Sequence, residues 1–202
     1  MHSTSAILEG VELVGPVDQF VTFGPASGGM MGVKVRGPLC EGEVLLHGAH
    51  VTRFVPLGGE PLLFMSERAV FRDGAAIRGG VPVIFPWFGP RAGHPESPMH
   101  GLVRTRQWRL LRVMASADGV VDVVLGIGDC EETRRIWDHP FHVELSVRFG
   151  AELGIRMTVR NTGSEAFDCE MAFHPYFVVG DIRKVGVRGL RGATYISKTE
   201  GM

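Results

Sequence analysis

The most unusual part of the sequence runs from 77 to 108 and reads IRGGVPVIFPWFGP (77–90), RAGHPESPM (91–99) and HGLVRTRQW (100–108). Its first block places three glycines and three prolines around an apolar run at 83–88. Proline cannot donate to a sheet ladder, and glycine loosens one. We therefore expect this block to wrap around a cavity instead of pairing as a strand throughout.

Cationic side chains stand at both ends of this stretch. Arg78 opens it, and His100 and Arg104 follow its Gly/Pro-rich part. A guanidinium group offers forked donors that suit a phosphate or a carboxylate. The pattern predicts a site for an anionic, partly apolar small molecule. The aromatic rings at 85, 87 and 88 could face a sugar or could equally well pack in the core.

The segments on either side are short, alternate with a period of two and are punctuated by Gly, Pro or Asp. Such a pattern is typical of an all-β antiparallel sandwich or barrel with little helix. A single helical turn is predicted within Asp129–Asp138. The predicted strands are Gln19–Phe23, Gly32–Arg36, Glu43–Leu46, His50–Phe54, Pro61–Met65, Gln107–Met114, Val120–Ile127, Phe141–Phe149, Leu153–Asn161, Phe167–His174 and Lys184–Arg188.

Alternation also predicts which way side chains point in the later strands. The odd-numbered residues of 143–149 are apolar and their neighbours are polar, so one face belongs to the core. The same logic applied to 167–174 puts His174 on the polar face, where a ligand of sugar size could reach it.

Composition narrows the functional class. The chain has 202 residues, 45% of them apolar, which suits one domain over 1–202. A net charge of -1 without a Lys/Arg stripe argues against a nucleic-acid partner. Three scattered cysteines predict buried free thiols in a reducing compartment. Neither a secretory leader nor a membrane span is predicted, so we expect a cytoplasmic protein.

Two of the eight histidines are candidates for chemistry. His100 lies beside a glycine and four residues before Arg104, and His174 precedes a proline at a predicted strand end. A metal site built from these two with His47 and His50 lacks a suitably spaced carboxylate, so no metal is predicted. Nucleophile elbows and phosphate loops are absent. The remaining chemical function is general acid–base catalysis by an imidazole on a small polar ligand.

Four sequence blocks, in this order, resemble a known family. The blocks are 77–90, 100–108, ETRRIWDHPFHVELSV (132–147) and MAFHPYFVVGDIRKVGVRGL (171–190). Together they resemble the hexose-6-phosphate mutarotases of the aldose 1-epimerase superfamily. The resemblance implies a large antiparallel β-sandwich of the galactose-mutarotase type.

The resemblance also implies roles for individual residues. His174 matches the acid that protonates the ring oxygen of the sugar, and His100 matches a second histidine that lines the site. Arg78 and Arg104 match arginines that hold the substrate and its phosphate. The implied ligand is a hexose 6-phosphate, without metal or organic cofactor. We expect a monomer.

This sequence departs from the family pattern at two points. Met99 stands where phosphate-specific members place a glutamine, and a thioether cannot replace an amide donor. The family's catalytic glutamate and a sugar-binding aspartate come from late strands beyond position 202. Glu170 is not expected to replace that glutamate, because four strand residues separate it from His174 by about 13 Å. Glu200 lies in the terminal tail.

We therefore expect a C-terminally incomplete sandwich that lacks its last strands, with a hairpin beginning near Tyr195 and Ile196. The predicted function is anomer interconversion of a hexose 6-phosphate. Three alternatives remain: a non-catalytic sugar-phosphate-binding protein, a mutarotase of unphosphorylated aldoses, and an incomplete fold that holds no ligand.

Overall fold

Two β-sheets form the body of the protein. The structure, a computed structural model, describes residues 7–194. Its strands are β1 (Glu12–Val14), β2 (Val21–Pro25), β3 (Met31–Arg36), β4 (Cys40–Leu45), β5 (His50–Pro56), β6 (Val83–Ile84), β7 (Arg109–Ala115), β8 (Val121–Gly128), β9 (Phe141–Phe149), β10 (Leu153–Asn161) and β11 (Ala172–Phe173). Short helices in the described part of the chain include α1 (Val17–Phe20) and α2 (Glu131–Ile136).

The larger sheet has five strands in the order β1-β7-β8-β9-β10, and the smaller has the order β2-β3-β4-β5. Neighbouring strands in both are antiparallel, except that β1 runs parallel to β7. A separate two-stranded sheet pairs β6 with β11. The prediction of a mainly antiparallel β protein is confirmed.

The two sheets share one apolar core. Alternate residues of β8 and β9 are fully buried and cluster with the inward side chains of β3, β4 and β5. Gly42 of β4 lies directly against the ring of Phe149 in β9, where a Cβ atom would come within 2.3 Å of the ring. This contact brings the sheets face to face as a sandwich.

The later strands agree with prediction. Phe141–Phe149 and Leu153–Asn161 form over the predicted ranges, and the odd-numbered side chains of β9 are buried. The apolar side chains of β10 are only half-buried, because β10 is the outermost strand of its sheet in the described part of the chain. The predicted helical turn within Asp129–Asp138 is α2.

Three predicted strands are wrong. Pro61–Met65 forms only isolated bridges, from Leu63 and Met65. Lys184–Arg188 is irregular and follows a 3₁₀ turn at Ile182–Lys184. Phe167–His174 shrinks to the two residues of β11, whose neighbouring segment at 80–86 contains two prolines that cannot donate. The hairpin predicted at Tyr195 and Ile196 lies outside the described residues.

The three cysteines are free, as predicted. Only Cys40 is buried, where burial raises the pKa of its thiol. Cys169 is exposed, which contradicts the prediction that all three would be buried, because the expected strand around it does not form. Among the described residues, no helix has the length and apolar character needed to cross a membrane.

Candidate functional site

Two irregular segments lie side by side and carry the candidate site. The backbone N–H of Glu170 donates to Pro86 O at 2.8 Å, that of His174 to Pro82 O at 3.1 Å, and that of Tyr176 to Gly80 O at 2.9 Å. Pro82 and Pro86 accept two of these bonds but have no N–H with which to return one. The block at 77–90 therefore pairs only in part, as predicted.

This pairing places His174 in a stack of rings. Its imidazole lies between Phe88, with centroids 6.2 Å apart and 13° between the planes, and Tyr176, at 5.0 Å and 18°. His100 meets the edge of the stack, with its centroid 4.8 Å from Phe88 and 6.0 Å from His174. His174 is half-buried and does not turn into the apolar core. The two predicted histidines are thus brought together.

The backbone around His100 is held in an unusual conformation. His100 has φ 65°, in the left-handed region, where a non-glycine residue costs about 1–2 kcal/mol. Gly101 follows with φ 78°, and a Cβ atom there would lie 2.0 Å from Phe85 O. The N–H of Gly89 donates to His100 Nδ1 at 3.0 Å, so a neutral His100 ring carries its proton on Nε2.

Arg104 supplies a half-buried cation next to the ring stack. One guanidinium nitrogen, Nη2, donates to Met99 O at 2.7 Å. Burial holds the pKa of Arg104 below its ordinary value, and the nearby Tyr176 partly offsets this effect. Its Nε atom is buried and has no hydrogen-bond partner among residues 7–194. A buried donor without a partner is unusual, and leaving this one unpaired lowers the stability of the Arg104 side chain in its present position.

Arg78 and Met99 are exposed. The carbonyl of Arg78 accepts from Ser66 N–H at 3.2 Å, and the next residue, Gly79, bridges Met65. The described contacts do not join the Arg78 guanidinium to the ring stack. Met99 is 49% exposed, and its contribution to this neighbourhood is its carbonyl oxygen.

His47 and His50 serve the fold beneath the site. Both are 1% exposed, and their Nε2 atoms donate to Ala75 O at 2.8 Å and Gly79 O at 2.7 Å. Burial, opposed by the Gly79 carbonyl and reinforced by His47 and Arg104, lowers the pKa of His50 from 6.5 to about 4. Within 7–194 no three His, Cys, Asp or Glu side chains are grouped closely enough to hold a metal ion.

Sequence reasoning left the aromatic cluster open and missed Tyr176 as a site residue. Phe85 and Trp87 are core residues at 0% and 7% exposure, whereas Phe88 is 43% exposed and joins the ring stack. Tyr176 follows His174 by two residues, the spacing that puts two side chains on one face of an extended chain. That spacing was the signal available in the sequence.

Glu170 also belongs to this neighbourhood. Its Oε2 accepts a hydrogen bond from Phe88 N–H at 2.6 Å. In an extended chain Glu170 would lie about 13 Å from His174. This distance along the chain takes no account of the loop that contacts both residues. Glu170 joins the candidate site because 170–176 pairs with 80–86. The sequence pattern does not specify this pairing, so it gave no signal for Glu170.

Comparison with known proteins agrees with this architecture. The family model "Aldose 1-epimerase" matches residues 33–200. An Escherichia coli (strain K12) protein named "Putative glucose-6-phosphate 1-epimerase" is 38% identical over 166 residues, which cover 82% of this chain and 54% of the relative. The chain spans about half the length of the curated relatives it matches.

Solved structures show the same fold. A Salmonella typhimurium "putative mutarotase" superposes with a TM-score of 0.74 at 30% identity, over 81% of this chain and 53% of the other. A galactose mutarotase-like protein from Clostridium acetobutylicum, 15% identical, has a TM-score of 0.65 over 78% and 54% of the two chains. The predicted galactose-mutarotase type of fold is thereby confirmed. The chain belongs to the aldose 1-epimerase family.

Proposed function

We propose that this chain provides the histidine and arginine part of a site that interconverts the α and β anomers of a hexose 6-phosphate. The observation that carries the proposal is the convergence of His174, His100 and Arg104 around one ring stack, although they come from segments some 70 residues apart. The names of the relatives and the family membership support the reaction class.

In the proposed reaction, His174 donates a proton to the ring oxygen while the bond from that oxygen to C1 breaks. A carboxylate base takes the proton of the anomeric hydroxyl, so C1 becomes an aldehyde carbonyl. Rotation about the bond from C1 to C2 and reversal of both proton transfers gives the other anomer. Matched proton transfer and positioning are sufficient for this chemistry. The base is the glutamate that the family resemblance places in a late strand.

His100 and Arg104 have supporting roles in this proposal. The bond from Gly89 occupies Nδ1 of His100, so its neutral ring acts as a hydrogen-bond donor through Nε2 instead of shuttling a proton. Arg104 supplies the positive charge for the phosphate from its half-buried position beside Tyr176. Arg78 is proposed as a second phosphate contact on the basis of the resemblance alone.

The test is anomer exchange measured by two-dimensional exchange NMR on the full chain with glucose 6-phosphate. Because the base lies outside residues 1–202, we expect the wild type to exchange anomers only modestly faster than the buffer, and His174→Ala to return to the buffer rate because it lacks the general acid. Glu165→Ala, which changes an exposed residue outside the site, is the matched control and should keep the wild-type rate.

Rates that stay at background for both the wild type and His174→Ala would contradict catalysis by this chain. A shift of its melting temperature by glucose 6-phosphate would then favour a sugar-phosphate-binding protein. Equal rates with glucose and glucose 6-phosphate would instead favour a mutarotase of unphosphorylated aldoses.

A further inference from the structure

Glu170 ties the segment before His174 to the loop that carries Phe88. Its Oε2 accepts from Phe88 N–H at 2.6 Å, and its own N–H donates to Pro86 O at 2.8 Å. Backbone and side chain of the same residue thus hold 86–88. The bond to the carboxylate is charge-assisted and about twice as strong as a bond between neutral groups.

The loop at 88–89 connects Glu170 to both histidines. The Phe88 ring stacks on His174 and meets His100 edge to face. The next amide, that of Gly89, donates to His100 Nδ1. Two consecutive N–H groups are therefore bound by the Glu170 carboxylate and the His100 imidazole. A shift of this turn would move the neighbours of both rings together.

In this loop the Phe88 side chain is exposed, although its neighbours Trp87 and Gly89 are buried. The Phe88 side chain is 43% exposed, and Phe88 lies outside the buried core cluster. An exposed aromatic ring keeps a fixed orientation only when its backbone is anchored. The Glu170 carboxylate is one such anchor, together with the His100 N–H that donates to Gly89 O at 2.8 Å. Glu170 lies in the irregular segment just before β11 and His174.

We propose that Glu170 is a positioning residue for this site: its carboxylate holds the turn at 88–89 so that Phe88 packs against His174 and Gly89 stays bonded to His100. Glu170 acts through the loop and not on the sugar. The kinetic consequences rest on the proposed function, whereas the effect on the two imidazole rings does not.

The first test compares Glu170→Ala with Glu170→Gln, using Glu165→Ala as the control. Glutamine keeps an oxygen that can accept from Phe88 N–H, and alanine does not. We expect Glu170→Ala to lower kcat for anomer exchange about tenfold with KM changed less than threefold, since a small misplacement lowers reactivity more than binding. Glu170→Gln should stay within about threefold of the wild type. A glutamine variant as slow as the alanine variant would overturn the proposal, because the carboxylate would then be needed for more than its hydrogen bond.

The second test follows the imidazole C–H resonances of His100 and His174 by NMR without substrate. An aromatic ring stacked nearby shifts these resonances, so Glu170→Ala should move both, and Glu170→Gln and Glu165→Ala should leave both in place. This readout needs no catalysis. If the chain has no epimerase activity, the proposed function is wrong, but the resonances still test the positioning role. Unchanged His100 and His174 resonances in Glu170→Ala would overturn the positioning role.

A double-variant cycle locates the route of the effect. If Glu170 acts through the Phe88 loop, Glu170→Ala combined with Phe88→Leu should be at most about twofold slower than Phe88→Leu alone. If the two substitutions lower the rate by factors that multiply in the double variant, Glu170 and Phe88 act independently, which would contradict the proposal.

Discussion

At the scale of single residues, burial lowers the pKa of His50, and this should make the stability of the protein depend on pH. Its side chain is 1% exposed and bonded to Gly79 O, and burial together with His47 and Arg104 lowers its pKa to about 4. The folded protein therefore keeps His50 neutral at pH values where the unfolded chain, with a pKa near 6.5, takes up a proton.

The sign of the effect follows from this lowered pKa. The stabilisation is fully present above pH 6.5 and is lost as the pH falls toward 4, by roughly 3 kcal/mol in free energy of unfolding. Urea unfolding at several pH values between 7.5 and 4 measures this loss of stability. His50→Gln should flatten this part of the pH profile, whereas His94→Gln, at a largely exposed position, should keep the wild-type slope. An unchanged slope in His50→Gln would contradict the assignment.

The individual residues of the candidate site could be predicted only in part from the sequence. His100 and His174 could be chosen because an imidazole after a Gly/Pro-rich block, or at a strand end, has a recognisable setting. Their neighbours Phe88 and Glu170 depend on contacts across 82 residues of sequence. Periodicity encodes the direction of a side chain within its own strand and says nothing about which loop lies over it.

At the scale of elements, Gly42 of β4 shows how closely the two sheets approach. The Phe149 ring of β9 occupies the space where a side chain at position 42 would lie, with Cδ1 at 2.3 Å from an added Cβ. Phe149 is fully buried and cannot swing into solvent. Accommodating a methyl group would require the sheets to separate or the ring to leave its rotamer.

Gly42→Ala is therefore expected to destabilise the fold by about 1–3 kcal/mol, the usual effect of overpacking a core. Gly154→Ala in β10 is the matched control, because its Cβ would meet only the Arg148 Cβ, at 3.4 Å. That variant should be neutral or slightly stabilising. Chemical denaturation of both variants measures the difference, and a Gly42→Ala protein as stable as the wild type would contradict the packing described here.

The elements that could be predicted are those that pair over their whole length with a regular antiparallel strand. β9 and β10 alternate strictly, and each has a full antiparallel neighbour, so the predicted and observed ranges coincide. The segment 167–174 alternates just as well, but its neighbour contains Pro82 and Pro86. The sequence pattern of one strand does not reveal that its partner lacks donors.

At the scale of the whole molecule, the net charge bears on how the proposed phosphorylated substrate would be recognised. The net charge is -1, so the protein as a whole does not attract an anion. Any preference for a phosphorylated sugar must then come from cations within a few ångströms of the ring stack. Arg104 is the half-buried cation beside that stack, with Tyr176 as its electrostatic neighbour.

Arg104→Ala should accordingly raise the Kd for glucose 6-phosphate about 10- to 100-fold, the range for losing a hydrogen bond to a charged group, and leave the Kd for glucose within about twofold. Titration calorimetry with both sugars measures this difference. Arg156→Ala, on the exposed side of β10, is the control and should change neither Kd. Because Arg104 is partly buried, the difference between the sugars should persist at moderate salt, whereas an effect of surface charge would be screened. Equal weakening of both sugars by Arg104→Ala would mean that the guanidinium holds the ring stack instead of the phosphate.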